Sequence, residues 1–154
     1  MLRHLPTFAS VLLVAAVSQT TIIPRVNADS TNSSSQLVRV KDNHPAIAEG
    51  SFVTVDQDHP TEGQATILEE EGKRYLVFSD NFTTARGPAV RVVLHQDSDV
   101  GVNLTEGSYT TVANLQSFDG GQKYLLPEDL DVSAYNSVAI WCEQFNVTFG
   151  YAAF

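Results

Sequence analysis

The chain contains one cysteine, one tryptophan and four histidines, so the side chains able to do redox or metal chemistry can be weighed one at a time. Cys142 stands beside Trp141 in the closing stretch SVAIWCEQFNVTFGYAAF, residues 137–154. A cysteine with no second cysteine in its chain has four uses: an inert buried thiol, half of an intermolecular bridge, a redox thiol or a ligand. Its apolar surroundings in sequence favour shielding from water and oxidant. His59 lies just before Pro60 in the polar loop Asp56-Gln57-Asp58-His59, where a loop can bring an imidazole to a cofactor. The plain alternative is an exposed turn histidine. His95 ends a strand pattern opposite Val92 and Leu94 and is expected to face solvent, and His44 belongs to an N-terminal leader.

Counting ligands narrows the cofactors. Covalent c-type haem needs Cys-x-x-Cys-His, which does not occur. The single methionine is Met1, so axial iron ligands would have to come from His44, His59, His95 and Cys142. Type-1 copper needs two histidines with the cysteine, one of them usually soon after it; no histidine follows Cys142. Haem iron, or another redox metal in a distorted site of Cys142 with His59 and His95, stays open at this point. Structural zinc calls for four Cys or His ligands, more than this chain gathers easily. The acidic groups Asp97/Asp99 and Glu128/Asp129/Asp131 have oxygen ligands for calcium but no EF-hand spacing, and solvated loop charge is their default explanation. Asn-x-Ser/Thr triplets begin at Asn32, Asn81, Asn103 and Asn146, the last inside a predicted strand. No Gly-x-Ser-x-Gly elbow or cysteine-protease signature is present, so the reading is of a non-catalytic domain.

The elements that must position these residues read as strands. Val138, Ile140 and Cys142 share one parity, and Phe145, Val147 and Phe149 share the other; alternation with period two marks a strand with a buried face. The switch near Glu143-Gln144 predicts a tight turn or a bulge. Trp141 then faces away from Cys142. Further strands are predicted at Phe52–Val55, Gln64–Leu68, Tyr75–Phe78, Val90–His95, Ser108–Val112 and Gln122–Leu126, with a turn at Glu71-Gly72. With no helical stripe longer than two turns, this argues for a single all-β domain over residues 50–154. Its expected form is an antiparallel β-sandwich of about eight short strands, with bulk from Trp141, Phe145, Phe149 and Tyr124.

The start of the chain reads differently. Arg3 and His4 precede an apolar run from Phe8 to Val17, too short to span a bilayer comfortably, and Val26-Asn27-Ala28 suits cleavage before Asp29. Residues 1–28 are therefore read as a signal peptide and 29–49, rich in Ser, Thr and Asn, as a flexible leader. The expectation is a secreted or periplasmic protein with no stable membrane span after cleavage. Formal charge is −9 for the whole chain, and −11 once Arg3 and Arg25 are removed, with 7 basic against 18 acidic residues. Scattered basic residues argue against a nucleic-acid partner and leave an exported redox protein or another basic partner as the fitting class.

Several short motifs now line up: Gly50-x-Phe52, His59, Gly63, Leu76-x-Phe78, Phe82, Gly87-Pro88, Gly121-Gln122-x-Tyr124-x-Leu126-Pro127, Tyr135, Ile140-Trp141-Cys142 and Phe149-Gly150-x-Ala152. In order and spacing they resemble the DM-thirteen (DM13) domain family, from Gly50 to the end of the chain. The Trp-Cys…Phe-Gly-x-Ala segment is the most specific part. The resemblance implies a small exported all-β domain that takes part in electron transfer, often beside DOMON-type haem or sugar-binding domains. It also implies that Cys142 is the redox or cofactor-binding residue, with His59 its partner. Ala89 departs from the acidic residue that tends to follow the family's Gly-Pro. The alternative is an extracellular interaction or adhesion module in which Cys142 is purely structural.

Overall fold

The computed structural model describes residues 44–154. The signal-peptide reading and most of the leader fall outside them. Ten strands follow in order: β1 Ala46–Thr54, β2 Thr61–Glu62, β3 Gln64–Glu70, β4 Lys73–Phe78, β5 Thr83–Thr84, β6 Val90–His95, β7 Tyr109–Asn114, β8 Gln122–Leu125, β9 Ser137–Cys142 and β10 Val147–Ala153. A single 3-10 turn, Val132–Ala134, precedes β9. β1 begins before Gly50, inside the stretch that composition assigns to the leader. No helix among the described residues is long and apolar enough to cross a membrane.

Eight strands form one antiparallel sheet in the order β7-β6-β9-β10-β1-β3-β4-β8, and β2 pairs with β5. The expected antiparallel all-β fold is thus realised as one sheet curled over its own apolar face. Val92, Leu94, Val138 and Ile140 from one end share a core with Leu76, Phe78 and Tyr124 from the other. The two edges approach through side chains, because Gln116 Nε2 donates to Lys123 O at 3.0 Å and Tyr124 Oη accepts from Gln116 N at 3.1 Å. Closing the sheet this way blunts edges that would otherwise invite pairing with other chains. The β3–β4 hairpin turns at Glu71-Gly72, where φ is positive at both residues (52° and 75°), the twist that a tight antiparallel hairpin requires.

The main core is aromatic at its centre, with Phe52 edge-on to Phe78 at 5.3 Å and Phe82 4.7 Å from Phe78. A second, smaller core lies on the other face of β6 and β9 and joins Val93, Val100, Leu104, Ala139 and Trp141. Trp141 and Cys142 therefore point to opposite, covered faces, as alternation predicts.

Two expectations change. Phe145 does not supply core bulk: it sits in the turn between β9 and β10 and is 63% exposed, because the parity it shares with Val147 and Phe149 begins before the strand does. His95 does not face solvent; it is 5% exposed. It shares its side of β6 with Val93, and the 96–108 connection covers that side by placing Val100 and Leu104 over it.

Candidate functional site

β9 and β10 meet at a turn and then at a bulge, and together these build the site. Thr148 pairs with Trp141 but Gly150 pairs with Ile140, so Phe149 is the extra residue. A bulge re-aims its side chain and frees its backbone from the ladder. Phe149 O accordingly accepts from Val55 N at 2.8 Å and Asp56 N at 3.3 Å, which ties the 55–60 loop to β10. The loop is closed at its base by Thr54, whose Oγ1 accepts from Thr61 N at 3.0 Å and donates to Thr61 O at 3.2 Å. Gly150 allows this approach, since a Cβ there would stand 2.6 Å from Thr61 Cβ and 2.7 Å from Val53 O.

On that loop, His59 stacks flat on Phe149, with ring centroids 4.3 Å apart and 6° between planes. Its Nδ1 lies 2.8 Å from Asp56 Oδ2, and its main-chain N–H donates to Asp56 O at 2.9 Å. The hydrogen bond from His59 is the first cause holding the Asp56 carboxyl below its ordinary value; the N–H of Asp58 adds to it.

Cys142 comes from the other side. It ends β9 opposite Val90, is 1% exposed, and its Sγ donates to Pro88 O at 3.0 Å. The Gly87-Pro88-Ala89 loop is held there by the donation of Glu143 N to Ala89 O at 3.1 Å. Ala89 adopts φ +50°, a left-handed conformation that an L-residue enters at a cost. Gly87 lets the loop press on the Phe149 ring, because a Cβ would come 2.9 Å from Phe149 Cζ.

These segments enclose a recess of about 250 Å³ lined by His59, Arg86, Gly87, Pro88, Cys142, Phe145, Val147 and Phe149. The structure thus brings Cys142 and His59 to one pocket. It does not bring His95 there. In the β6–β9 register Val90 faces Cys142 and His95 faces Ser137, five positions on, or roughly 17 Å at strand rise. His95 also lies on the opposite face with both nitrogens engaged: Nδ1 accepts from Asp97 N at 3.0 Å, and Nε2 is 3.0 Å from Ser108 Oγ. A site uniting Cys142, His59 and His95 is therefore ruled out by geometry. Among the described residues no three of His, Cys, Asp and Glu come together as a metal-holding group.

Two participants were not visible as such in the sequence. Asp56 was one acid among many in a polar loop; its place three residues before a histidine in a turn is the signal that could have singled it out. Arg86 carried no motif. It lines the recess and lies 5.0 Å over the Phe118 ring. The acidic groups gather no ligand set, and Asp131 instead caps the 3-10 turn by accepting from Ser133 N at 3.0 Å.

No curated protein and no solved structure matches this chain. The family model described as electron transfer DM13 matches residues 51–154, from inside β1 to the last residue and across every segment that lines the recess. The chain belongs to the DM13 electron transfer family.

Proposed function

We propose that this is an exported, non-catalytic electron-transfer domain that works through the recess at the β9–β10 turn. Cys142 is its redox thiol or soft ligand, and His59 is the partner base or second ligand. The observation that carries the reading is the meeting of the two residues: His59 arrives on the loop after β1, Cys142 ends β9, and both line one small pocket. A thiol gives up a proton when it is oxidised or binds a metal, and an imidazole beside it offers a place for that proton. Apolar walls from Pro88, Val147 and Phe149 lower the local dielectric, and the exposed Phe145 at the rim gives a redox partner an apolar foothold. Membership of an electron-transfer family and the N-terminal export pattern support the same reading.

The test is the ultraviolet-visible spectrum of the protein purified from its export compartment without chelators, oxidised and dithionite-reduced, beside Cys142→Ser. A thiolate-to-metal or other redox-sensitive band that is lost in the variant supports a cofactor at Cys142. If only Trp141 and tyrosine absorb, the bare-thiol form is tested by alkylation and reversible oxidation of Cys142, and a thiol inert to both sinks the proposal.

A second reading has its own observation. Cys142 is almost wholly buried with its proton committed to Pro88 O, as suits a structural residue of an adhesion or interaction module. Under it, Cys142→Ser loses stability by about 1–3 kcal/mol and changes no redox property.

A further inference from the structure

We propose that Asp56 is a positioning residue of this recess: it accepts a hydrogen bond from the Nδ1–H of His59 and so fixes the neutral imidazole in the tautomer whose Nε2 carries a bare lone pair. The proposal's consequence for electron transfer rests on the function proposed above; the tautomer itself does not.

The geometry is closed around Asp56. Its Oδ2 is 2.8 Å from His59 Nδ1 and its Oδ1 accepts from Asp58 N at 3.2 Å, so both oxygens are acceptors within their own loop. The Asp56 N–H reaches Phe149 O, and the His59 ring lies flat on the Phe149 ring, which removes the freedom to rotate away. An ionised carboxylate has no proton to give, so Nδ1 must be the donor. Nε2 is then left without a hydrogen and without a partner among the described residues, on a side chain that is 36% exposed. A carboxylate behind a histidine in this way orients the ring and fixes which nitrogen is offered, whether that nitrogen receives a proton or a metal ion.

His95 is the built-in contrast. Ser108 Oγ gives its own hydrogen to Thr105 O at 2.6 Å and so accepts from His95 Nε2, while His95 Nδ1 accepts from Asp97 N. The two histidines are therefore assigned opposite tautomers. The His95 form, with hydrogen on Nε2, is the one a free histidine side chain prefers, and only Asp56 holds His59 in the other.

The experiment is a long-range proton–nitrogen correlation spectrum of the full, nitrogen-15-labelled chain in mildly alkaline solution, for the wild type, Asp56→Ala and Asp56→Asn. The wild type is expected to show His59 with its hydrogen on Nδ1 and His95 with its hydrogen on Nε2. Asp56→Ala moves His59 to the Nε2–H pattern or a mixture and leaves His95 unmoved, which also reports an intact fold. Asp56→Asn keeps the wild-type pattern, since its amide oxygen still accepts from Nδ1. Wild-type His59 protonated on Nε2, or an Asp56→Ala spectrum like the wild type, overturns the assignment. No redox partner enters this measurement, so failure of the Cys142→Ser test leaves it standing. A tautomer switch in Asp56→Ala with an unchanged rate of Cys142 oxidation overturns the positioning role.

Discussion

The two faces of β9 bury similar chemistry and treat it in opposite ways. On the Trp141 side the tryptophan and the Leu104 backbone are tied into one network through Asn146, although the buried Thr148 Oγ1, opposite Trp141, has no partner among the described residues. Trp141 Nε1 donates to Asn146 Oδ1 at 3.0 Å, the same oxygen accepts from Leu104 N at 2.9 Å, and Asn146 Nδ2 returns a bond to Leu104 O at 3.2 Å. On the Cys142 side, His59 Nε2 has no partner among the described residues, the Pro88 loop holds a strained residue, and a recess lies between them. Burial alone does not separate the sides. The kind of group and its setting do: an amide network locked between Trp141 and Leu104 specifies a fold, whereas a titratable nitrogen and a thiol beside a recess are where chemistry can occur.

That contrast can be broken most severely at Asn146. Removing its side chain orphans the Trp141 and Leu104 N–H groups and the Leu104 carbonyl, and takes from φ +50° a residue type suited to it. Asn146→Ala is expected to cost about 3 kcal/mol in urea unfolding, by the penalty for buried unpaired groups, while alkylation of Cys142 in the folded state keeps its rate. A matching change in both would show that the two faces are one unit. The same side chain explains why the Asn146 sequon is unsuited to glycosylation once folded: its amide nitrogen is engaged with Leu104 O and its oxygen with Trp141 and Leu104 N–H groups.

The histidines sharpen the comparison at smaller scale. His95→Ala strands Asp97 N, takes one of the two partners of Ser108 Oγ and opens a cavity in the second core, and is expected to cost about 2 kcal/mol. His59→Ala removes a half-exposed ring stacked on Phe149 and is expected to cost under about 1 kcal/mol, while abolishing the redox response of the recess. Paired denaturation curves decide it; equal losses would place His59 among the structural histidines.

How far these differences could be read in advance follows from their range along the chain. Val90–His95 was found end to end, because alternation is local and both faces of β6 are covered. Glu71-Gly72 announced its hairpin for the same reason. β2 and β5 left no trace, being two residues each and joined by a buried hydrogen bond of 2.8 Å between the Thr61 and Thr84 hydroxyls, which no local pattern encodes. The predicted switch of parity turned out to hold both devices considered for it, a turn that puts Phe145 outside and a bulge that puts Phe149 inside. His95 was misplaced because a segment distant in sequence covers it. Cys142 and His59 could be singled out by residue type and expected as partners with the help of the resemblance; the three loops whose meeting forms their pocket were not readable.

Ala89 offers a gentler test of the Cys142 side. If its left-handed backbone is held by the surrounding contacts, glycine relieves the strain while preserving the Ala89 carbonyl that accepts from Glu143 N. Ala89→Gly is expected to stabilise by about 0.5–1 kcal/mol after glycine's own entropy is deducted, seen as a higher urea midpoint. A loss of stability would mean that the methyl group packs where the strain is, and that the loop is not a store of it.

The smallest expected effect is in acid, and it isolates the Asp56–His59 pair. Asp56 titrates below its ordinary value of 3.8 when folded, first because of its hydrogen bond with His59. A depressed folded value means that the pair's contribution is fully present above about 3.8 and is lost as pH falls from there through the folded value. Carbon-13 titration of the Asp56 carboxyl should therefore show a midpoint below 3.8 that rises toward it in His59→Ala and stays put in His95→Ala. A midpoint unmoved by His59→Ala would mean that the Asp58 N–H alone depresses it, and that the two side chains of the loop do not act as a pair.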